Sequence, residues 1–407
     1  MADVRSYALV TAAYWGFTLT DGALHMLVLL HFDRLGYTPL QIALLFLLYE
    51  FFGIVTNLIG GWIGSKSGLR VTLLGGLALQ IGALAILSRL NDAWAPGLSV
   101  AYVMGCQSLS GIAKDLTKMS SKSAIKLVVP GDKQGTLFRW VSLLTGSKNA
   151  LKGVGYLLGG VLLALLGFQF SLLGMAGALA AVLLGSAMFL RGDLGRSKAK
   201  TKLGALFSKS ADINLLSAAR FFLFGSREIW FAVGLPVFLY SGLGWSFTQV
   251  GGFMSAWVIG YGAVQSATPL LLGRGPEAVP QGRAAALWAG LLAVVAAAMA
   301  LLLSTHVPPA LTIFAGLGIF GLVFAINSAV HSYLIVAYST AERVSMDVGF
   351  YYGANAGGRL VGTLLSGLTF QVWGLAGCLW FTATFVLLET GLSLLLRDTR
   401  RPAPAPA

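Results

Sequence analysis

Five basic side chains lie inside stretches that are otherwise long and apolar enough to cross a lipid bilayer. They are Lys148, Lys152, Arg220, Arg227 and Arg359. A charge at bilayer depth costs about 2.5 to 3.5 kcal/mol on insertion scales, so each of these cations needs a partner. Acids in comparable stretches are fewer or differently placed. The surplus of cations therefore predicts a cavity that holds an anion inside the membrane.

The spacing of the cations places several of them on shared helix faces. Lys148 and Lys152 are four residues apart with Asn149 beside them, and Arg220 and Arg227 are two turns apart. Guanidinium groups offer planar, paired donors that suit an oxyanion with several oxygens. We interpret these side chains, together with Arg359, as candidate substrate-binding residues.

Polar and acidic side chains in other apolar stretches extend the candidate site. Asn327 and His331 lie on one helix face and are predicted to line the same cavity. Asp21 and Glu50 fall in mid-stretch, where an ionised carboxylate is costly, so they are candidates for coupling transport to protons. Glu389, on the last apolar stretch, is predicted to make a helix contact rather than to take part in transport.

A purely structural interpretation of several charges stays open at this point. Arg220 lies toward one end of its stretch, where a long side chain reaches the headgroups. Arg227 can be neutralised by the adjacent Glu228, and Asp21 can be a structural partner of Arg227 or Lys152. Such pairs would leave fewer cations for a substrate.

The composition requires helices that cross a membrane to position these residues. The 407 residues are 57% hydrophobic and only 11% charged, and the 52 glycines allow helices to pack closely in lipid. Taking about 20 apolar residues for one crossing, we predict about twelve transmembrane helices. Their ranges are 7–31, 39–63, 71–88, 97–117, 136–165, 169–190, 213–241, 247–272, 284–304, 309–338, 347–371 and 373–396.

Two sequence segments occur twice at almost the same spacing. LGYTPLQI at 35–42 returns as LGWSFTQV at 243–250, 208 positions later. KGVGYLLGG, which begins at Lys152, returns as RLVGTLLSG, which begins at Arg359, 207 positions later. Two matches at nearly one offset predict two pseudo-symmetric halves of six helices each. Lys152 and Arg359 then occupy equivalent positions, and we expect them to clamp an oxyanion near mid-depth.

Basic residues outside the spans predict the orientation. They collect on one side, and only Arg34 and Arg89 lie on the other, so both termini are expected in the cytoplasm. A basic linker between the halves touches anionic headgroups and accounts for much of the net charge of +13 without a nucleic-acid partner. The first half, linker, second half and cytoplasmic tail have the predicted boundaries 1–190, 191–212, 213–397 and 398–407.

Several other kinds of chemistry are not indicated. The histidines are dispersed and no HExxH motif or cysteine cluster occurs, so neither a metal site nor a cofactor is predicted. No Gly-Lys dipeptide occurs, which excludes the phosphate-binding loop of an ATPase. No catalytic nucleophile and base can be assembled from known motifs, so no enzymatic activity is predicted. Transport would use an ion gradient, exchange or downhill flow.

The loop after the second predicted span reads GWIGSKSGLR at 61–70. It resembles the signature of the major facilitator superfamily, with Ser65 where that family usually has Asp and Leu69 where it often has a base. GVGYLLGG at 153–160 is similar to the family's antiporter-associated glycine motif, with Tyr156 in place of the usual Pro. The resemblance implies an all-α membrane transporter whose two halves rock about a central site.

Longer segments are shared with a narrower family. They are YWGFTLTDGALHMLVLLHF from Tyr14, SGIAKDLTKMSSKSAIKLVVP from Ser110, TGSKNALKGVG from Thr145, NSAVHSYLIVAYS from Asn327 and VGFYYGANAGGRLVGTLLSG from Val348. Together they resemble the ArsJ family of organoarsenical efflux permeases of the bacterial inner membrane. The resemblance implies export of 1-arseno-3-phosphoglycerate. A glyceraldehyde-3-phosphate dehydrogenase makes this ester from arsenate, and the pair confers arsenate resistance.

Two other functions stay open from the sequence. The first is a general organophosphate exchanger or a drug exporter of the same superfamily, for which the intramembrane cations would bind a different anion. The second and more remote is a membrane-embedded enzyme that acts on lipid phosphates. The sequence does not predict the coupling ion or the choice between arsenate and phosphate esters.

Overall fold

The structure is a computed structural model that describes residues 2–67, 69–124, 134–190, 210–271, 282–339 and 344–397. These residues form helices and no strand, which satisfies the backbone N–H and C=O groups within lipid. The α-helices in chain order are α1 (Ala2–Arg34), α2 (Pro39–Leu45), α3 (Leu47–Ser67), α4 (Leu69–Leu87), α5 (Pro96–Ala124), α6 (Gln134–Phe189), α7 (Ala211–Phe231), α8 (Gly234–Val237), α9 (Phe247–Leu271), α10 (Gly282–Leu303), α11 (Pro309–Tyr338) and α12 (Val344–Leu394). A turn of π-helix, Phe238–Gly242, follows α8.

The helices account for the twelve predicted spans once their breaks are considered. Within the described residues, seven stretches are long and apolar enough to cross a membrane. Two of these, of 43 and 48 residues, lie in α6 and α12 and are each long enough for two crossings. Helices α1, α5 and α9 match three further predicted spans. The all-α, twelve-helix fold predicted from the sequence is confirmed.

The backbone repeats the pattern seen in the sequence. The described glycines with positive φ form two pairs: Gly36 (φ 81°) with Gly244 (φ 69°), and Gly167 (φ 71°) with Gly374 (φ 64°). The members of a pair are 208 and 207 positions apart, which are the two spacings of the sequence repeat. Gly167 and Gly374 break α6 and α12 into two spans each, because only glycine adopts this backbone without strain.

The first pair of glycines is followed by the same hydrogen-bonded turn. Gln41 N donates to Thr38 Oγ1 (3.3 Å) and Thr38 N donates to Gln41 Oε1 (2.9 Å). Ser246 and Gln249 make the equivalent bonds, at 3.3 Å and 2.8 Å. Each is a capping box that satisfies two helix N-terminal donors. The second span of each predicted half therefore begins with the same capped turn.

Packing divides the chain into two units. The first comprises Met1–Thr201 with Pro236–Ile259, and the second comprises Lys202–Leu235 with Gly260–Ala407. The start of α9 therefore belongs with the first unit. Most of the predicted linker (191–209) and the predicted tail (398–407) lie outside the described residues, and the four predicted boundaries stay predictions.

Glycines on α6 allow close helix contacts in the first unit. A Cβ added to Gly155 would lie 2.5 Å from the carbonyl oxygen of Leu19 on α1, and Gly159 meets the carbonyl oxygen of Ala23 more closely still. Gly160, on another face of α6, packs against the carbonyl oxygen of Phe247 at the start of α9. Small residues let backbones approach in lipid, where little hydrophobic force acts between helices. The antiporter-like glycine segment is therefore a packing surface for two neighbouring helices.

The second unit packs α12 on α7 in the same way. Gly362, which is 207 positions after Gly155, would place a Cβ 2.5 Å from the carbonyl oxygen of Gly225. Gly358, one turn earlier, lies against the backbone of Phe221. The α1–α6 contact and the α7–α12 contact thus share one matching glycine pair, Gly155 and Gly362, while Gly159 and Gly358 have no glycine counterpart.

Replacing Gly155 by Ala should destabilise the protein, because the added methyl group meets backbone atoms that cannot rotate away. We expect a loss of about 1 to 3 kcal/mol, measured as a lower thermal midpoint of the purified protein in detergent. Gly174→Ala on the same helix is the matched control, since a methyl group added there would have no atom within 4 Å. That control should be neutral or gain up to about 1 kcal/mol, and equal losses in both variants would contradict this account of the contact.

The last turn of α1 carries a hydrogen bond between corresponding positions of the repeat. Ser241 Oγ donates to Asp33 Oδ2 at 2.9 Å, and the two residues are 208 positions apart. Both belong to the first unit. Burial raises the pKa of the half-buried Asp33 carboxyl to about 6, although the hydrogen bond from Ser241 opposes this shift. Asp33 lies outside the predicted span, where it can exchange protons with water.

The raised pKa of Asp33 predicts a pH dependence of stability. The folded protein binds the proton more tightly than the unfolded chain, whose Asp pKa is near 3.9. The free energy of unfolding is therefore greatest at low pH, and it falls as the pH rises toward the folded-state pKa. Asp33→Asn keeps an acceptor for Ser241 and removes the titration. The thermal midpoint of the variant minus that of the wild type should increase between about pH 4 and pH 7. A difference that is constant over this range would contradict the assignment.

Candidate substrate and ion site

The predicted cations of the first unit lie along one helix. Lys148, Asn149 and Lys152 are half-buried on α6, and the helical spacing brings the two lysines to one face as predicted. The ammonium group of Lys152 lies 5.7 Å from the ring centroid of Tyr156. The backbone of Lys152 packs against Gly22 of α1, which brings this turn of α6 next to the turn of α1 that carries Asp21.

Asp21 is held by a partner that the sequence reasoning missed. Its two carboxylate oxygens accept hydrogen bonds from the hydroxyl group of Tyr49 at 2.8 and 2.9 Å. The ammonium group of Lys114 lies 3.8 Å from the centroid of the Tyr49 ring, a cation–π contact. Glu50, the neighbour of Tyr49, is also buried. The Asp21–Tyr49 hydrogen bonds join α1 to α3, and Glu50 is buried one residue further along α3. A tyrosine adjacent to an intramembrane acid was the signal in the sequence.

A second acid of the first unit joins α3 to α5. Asp115 is 1% exposed and lies 3.2 Å from the ammonium group of Lys118. Thr56 donates to its other oxygen at 2.6 Å, and Lys118 also donates to Asn57 at 2.9 Å. A buried carboxylate is stable when a cation and hydrogen bonds compensate for lost hydration. This group is therefore a structural ion pair rather than a free site.

The second unit brings two predicted cations onto one carboxylate. Glu228 on α7 forms an ion pair with the adjacent Arg227, and its Oε1 lies 3.4 Å from Nε of Arg359 on α12. Arg227 thus has the adjacent acid as its partner, as the structural interpretation expected, and the trio still carries more positive than negative charge. Glu228 follows Asp21 by 207 positions, as Arg359 follows Lys152. Adding the repeat spacing of 207 positions to Asp21 would have identified Glu228 from the sequence.

Arg220 is buried and does not extend to the headgroups. It is 4% exposed, and its Nη1 donates to the carbonyl and hydroxyl oxygens of Ser328, both at 3.2 Å. Its guanidinium group lies 3.9 Å from the ring centroid of Phe224 and 5.0 Å from that of Tyr351. Gln265 donates to the same Ser328 hydroxyl group at 3.1 Å. Hydrogen bonds and aromatic faces therefore hold this cation inside the second unit.

Asn327 and His331 meet a third acid. Both face Glu389 of α12, and all three side chains are fully buried. The Asn327 amide donates to Glu389 Oε1 at 2.7 Å, and His331 Nε2 lies 3.1 Å from the same oxygen. Glu389 makes the helix contact expected from the sequence, and this contact involves two residues predicted to bind substrate.

The structure groups the predicted site residues within each unit. Arg227 joins Arg359 on Glu228, whereas Lys152 belongs to the first unit. The clamp of Lys152 and Arg359 therefore stays a prediction. In the described part of the chain, no three His, Cys, Asp or Glu side chains come together in a way that could hold a metal ion.

Comparison with protein families matches residues 7–332 to the Major Facilitator Superfamily. The chain belongs to the major facilitator superfamily. Its members carry small molecules across membranes, so this is a multi-pass membrane transporter. The family and the twelve-helix fold agree with the class predicted from GWIGSKSGLR and from the sequence repeat.

Two solved structures have the same fold as this major facilitator protein. A bacterial homologue of the iron transporter ferroportin in its inward-facing state has a TM-score of 0.67 and 15% sequence identity, covering 98% of this chain and 99% of that chain. The human organic anion transporter MFSD10 (TETRAN) has a TM-score of 0.62 and 14% identity, covering 96% and 99%. At sequence identities this low, the two comparisons show a common fold and no more. No protein with a curated description matches the chain.

The Arg227–Glu228 pair predicts a coupled loss of stability in this transporter. Glu228→Gln leaves Arg227 without its carboxylate partner and should cost about 3 kcal/mol. Arg227→Gln combined with Glu228→Gln should cost less than the sum of the single changes, measured by thermal unfolding in detergent. Arg397 and Asp212, 4.0 Å apart with the Arg397 side chain 72% exposed, are the control pair. Their coupling should be below about 1 kcal/mol. Additive losses at Arg227 and Glu228 would show that they do not stabilise each other.

Proposed function

We propose that this transporter exports an anionic organoarsenical, 1-arseno-3-phosphoglycerate, from the bacterial cytoplasm across the inner membrane, with both termini in the cytoplasm. The observation that carries the proposal is the set of cations inside the spans, of which Arg227 and Arg359 share one carboxylate. A cargo with a phosphate at one end and an arsenate at the other has the charge to complement them. The ArsJ-like segments around Asp21, Lys152 and Arg359 point to this cargo.

The proposed partner is a glyceraldehyde-3-phosphate dehydrogenase, which supplies the cargo. The arseno ester hydrolyses readily, so the exporter acts on a product that must be made close in time to its transport. Removal of the ester from the cytoplasm makes the detoxification of arsenate irreversible. No direct contact between the two proteins is needed for this pairing.

In the proposed cycle, the two halves alternate access to a site near mid-depth. Lys152 and Arg359 bind one anionic end of the cargo, and Arg227 with Lys148 binds the other. Asn149, Arg220, Asn327 and His331 contribute polar contacts or position the cations. Asp21 and Glu50 are the acids proposed to couple the cycle to protons.

Expression of the chain should test both the cargo and its source. An arsenate-sensitive bacterium should gain resistance when it expresses the transporter together with the dehydrogenase, and not when it expresses either protein alone. Everted vesicles supplied with dehydrogenase, glyceraldehyde 3-phosphate and labelled arsenate should accumulate arsenic. Unchanged resistance together with flux of a phosphate ester or a dye would instead indicate the organophosphate exchanger or the drug exporter.

Substitution of the proposed clamp should abolish this transport. A charge-assisted hydrogen bond contributes about 1.5 to 3 kcal/mol, so Lys152→Gln or Arg359→Gln should weaken cargo binding about ten- to a hundredfold. The readout is arsenic accumulation in everted vesicles, normalised to the amount of inserted protein. Arg397→Gln removes an exposed cation and should transport as the wild type does. Normal transport by both clamp variants would overturn the proposed site.

A further inference from the structure

Three helices of the second unit enclose a small polar cluster whose central acid, Glu389, has no part in the proposed cargo site. Its centre is the carboxyl group of Glu389 on α12, with Asn327 and His331 contributed by α11. Arg220 of α7 lies close enough to act on both Glu389 and His331 electrostatically. Glu389, Asn327 and His331 are each 0% exposed. The hydrogen bonds and charges around Glu389 decide whether its carboxyl group is ionised or neutral.

The hydrogen bonds around Glu389 are unequal for its two oxygens. Oε1 accepts from the Asn327 amide at 2.7 Å and lies 3.1 Å from His331 Nε2. Oε2 makes no hydrogen bond in the described part of the chain, and neither ring nitrogen of His331 meets hydrogen-bond geometry. An ionised carboxylate presents two equivalent acceptors that both require donors when buried. An ionised Glu389 would therefore have one oxygen without any of the donors that a buried carboxylate requires.

The charges nearby do not neutralise a carboxylate at this place. Within the described chain Arg220 forms no ion pair with Glu389, because its Nη1 is directed to Ser328 and its guanidinium group stacks on Phe224. A second cation on His331 would lie in the field of Arg220, which disfavours it. The buried phenol of Tyr351 is a further titratable group at the cluster, and the ring of Tyr352 lies 5.4 Å from that of Tyr351. The charged residue of α10 is Arg283. It lies in the first turn of that helix, next to Gly282, which packs on Leu396.

We propose that Glu389, positioned by Asn327 and His331, is a proton-binding site in which the carboxyl group holds one proton at neutral pH. Release of that proton leaves a carboxylate in a dry site, and Arg220 is the cation that interacts with it. Ionisation of Glu389 would draw Arg220 away from Ser328. Proton binding is thereby linked to the hydrogen bonds that join α7 to α11. The group that binds the proton is Glu389, which the proposed cargo site does not include, and the use of this proton in export rests on the proposed function.

Infrared spectroscopy of the purified protein in detergent tests the site directly. The absorption of a protonated carboxyl group is separate from that of a carboxylate, so the wild type minus Glu389→Gln spectrum identifies the form of Glu389. At neutral pH the variant should lack one protonated carboxyl band of the wild type. Asp115→Asn is the matched control, since Asp115 is 1% exposed but lies 3.2 Å from the Lys118 ammonium group. The control should lose carboxylate absorption and no protonated band.

A second variant keeps the test decisive if Glu389→Gln does not fold. Asn327→Leu removes the amide donor to Oε1 and should shift the protonated carboxyl band to higher frequency, because its C=O group loses a hydrogen bond. Loss of carboxylate absorption in Glu389→Gln, or an unshifted protonated band in Asn327→Leu, would overturn the proposal. The readout requires no cargo. A failure here is therefore distinct from a failure of the arsenic transport assay.

Discussion

The carboxylate of Glu228 is the counterion of two guanidinium groups in the interior of the second unit, and a charge within lipid is not tolerated without one. The ion pair depends on a helix contact. Gly362 on α12 lies against Gly225 on α7, and a Cβ at Gly362 would come within 2.8 Å of the Glu228 Cβ. Small residues at this crossing therefore bring Arg359 within reach of Glu228. The charge and the packing are one constraint, since neither helix can move without affecting both.

The two units satisfy their buried acids by different chemistry. The first unit gives Asp21 a phenol and gives Asp115 an ammonium group with a hydroxyl group. The second unit gives Glu228 two guanidinium groups and gives Glu389 an amide beside an imidazole. Ammonium and guanidinium partners fix a carboxylate in its charged form. The phenol and the amide are neutral donors, which supply hydrogen bonds without a counter-charge.

Much of the fold could be predicted because membrane helices leave strong signals. The length of each apolar stretch predicts a span, and the repeat predicts which positions of the two halves are equivalent. The break at Gly167 falls between two predicted spans, and the break at Gly374 falls at the second residue of the last predicted span. The side-chain partners were harder to predict. Tyr49 on Asp21 and Glu389 on His331 join helices distant in sequence, and spacing along one helix says nothing about which face a neighbour presents.

The matched glycines carry a consequence for the ancestry of the chain. Gly36 and Gly244 adopt the same backbone and lead into the same capped turn, and Gly167 and Gly374 break equivalent helices. Backbone features that recur at spacings of 208 and 207 are the pattern expected when one half of a chain is duplicated and fused to itself. Gly155 and Gly160 have glycine counterparts in Gly362 and Gly367, whereas Asp33 corresponds in sequence to Ser241 and Lys152 to Arg359. The backbone of the repeat thus persists where the charge of its side chains differs, as it does from Asp33 to Ser241.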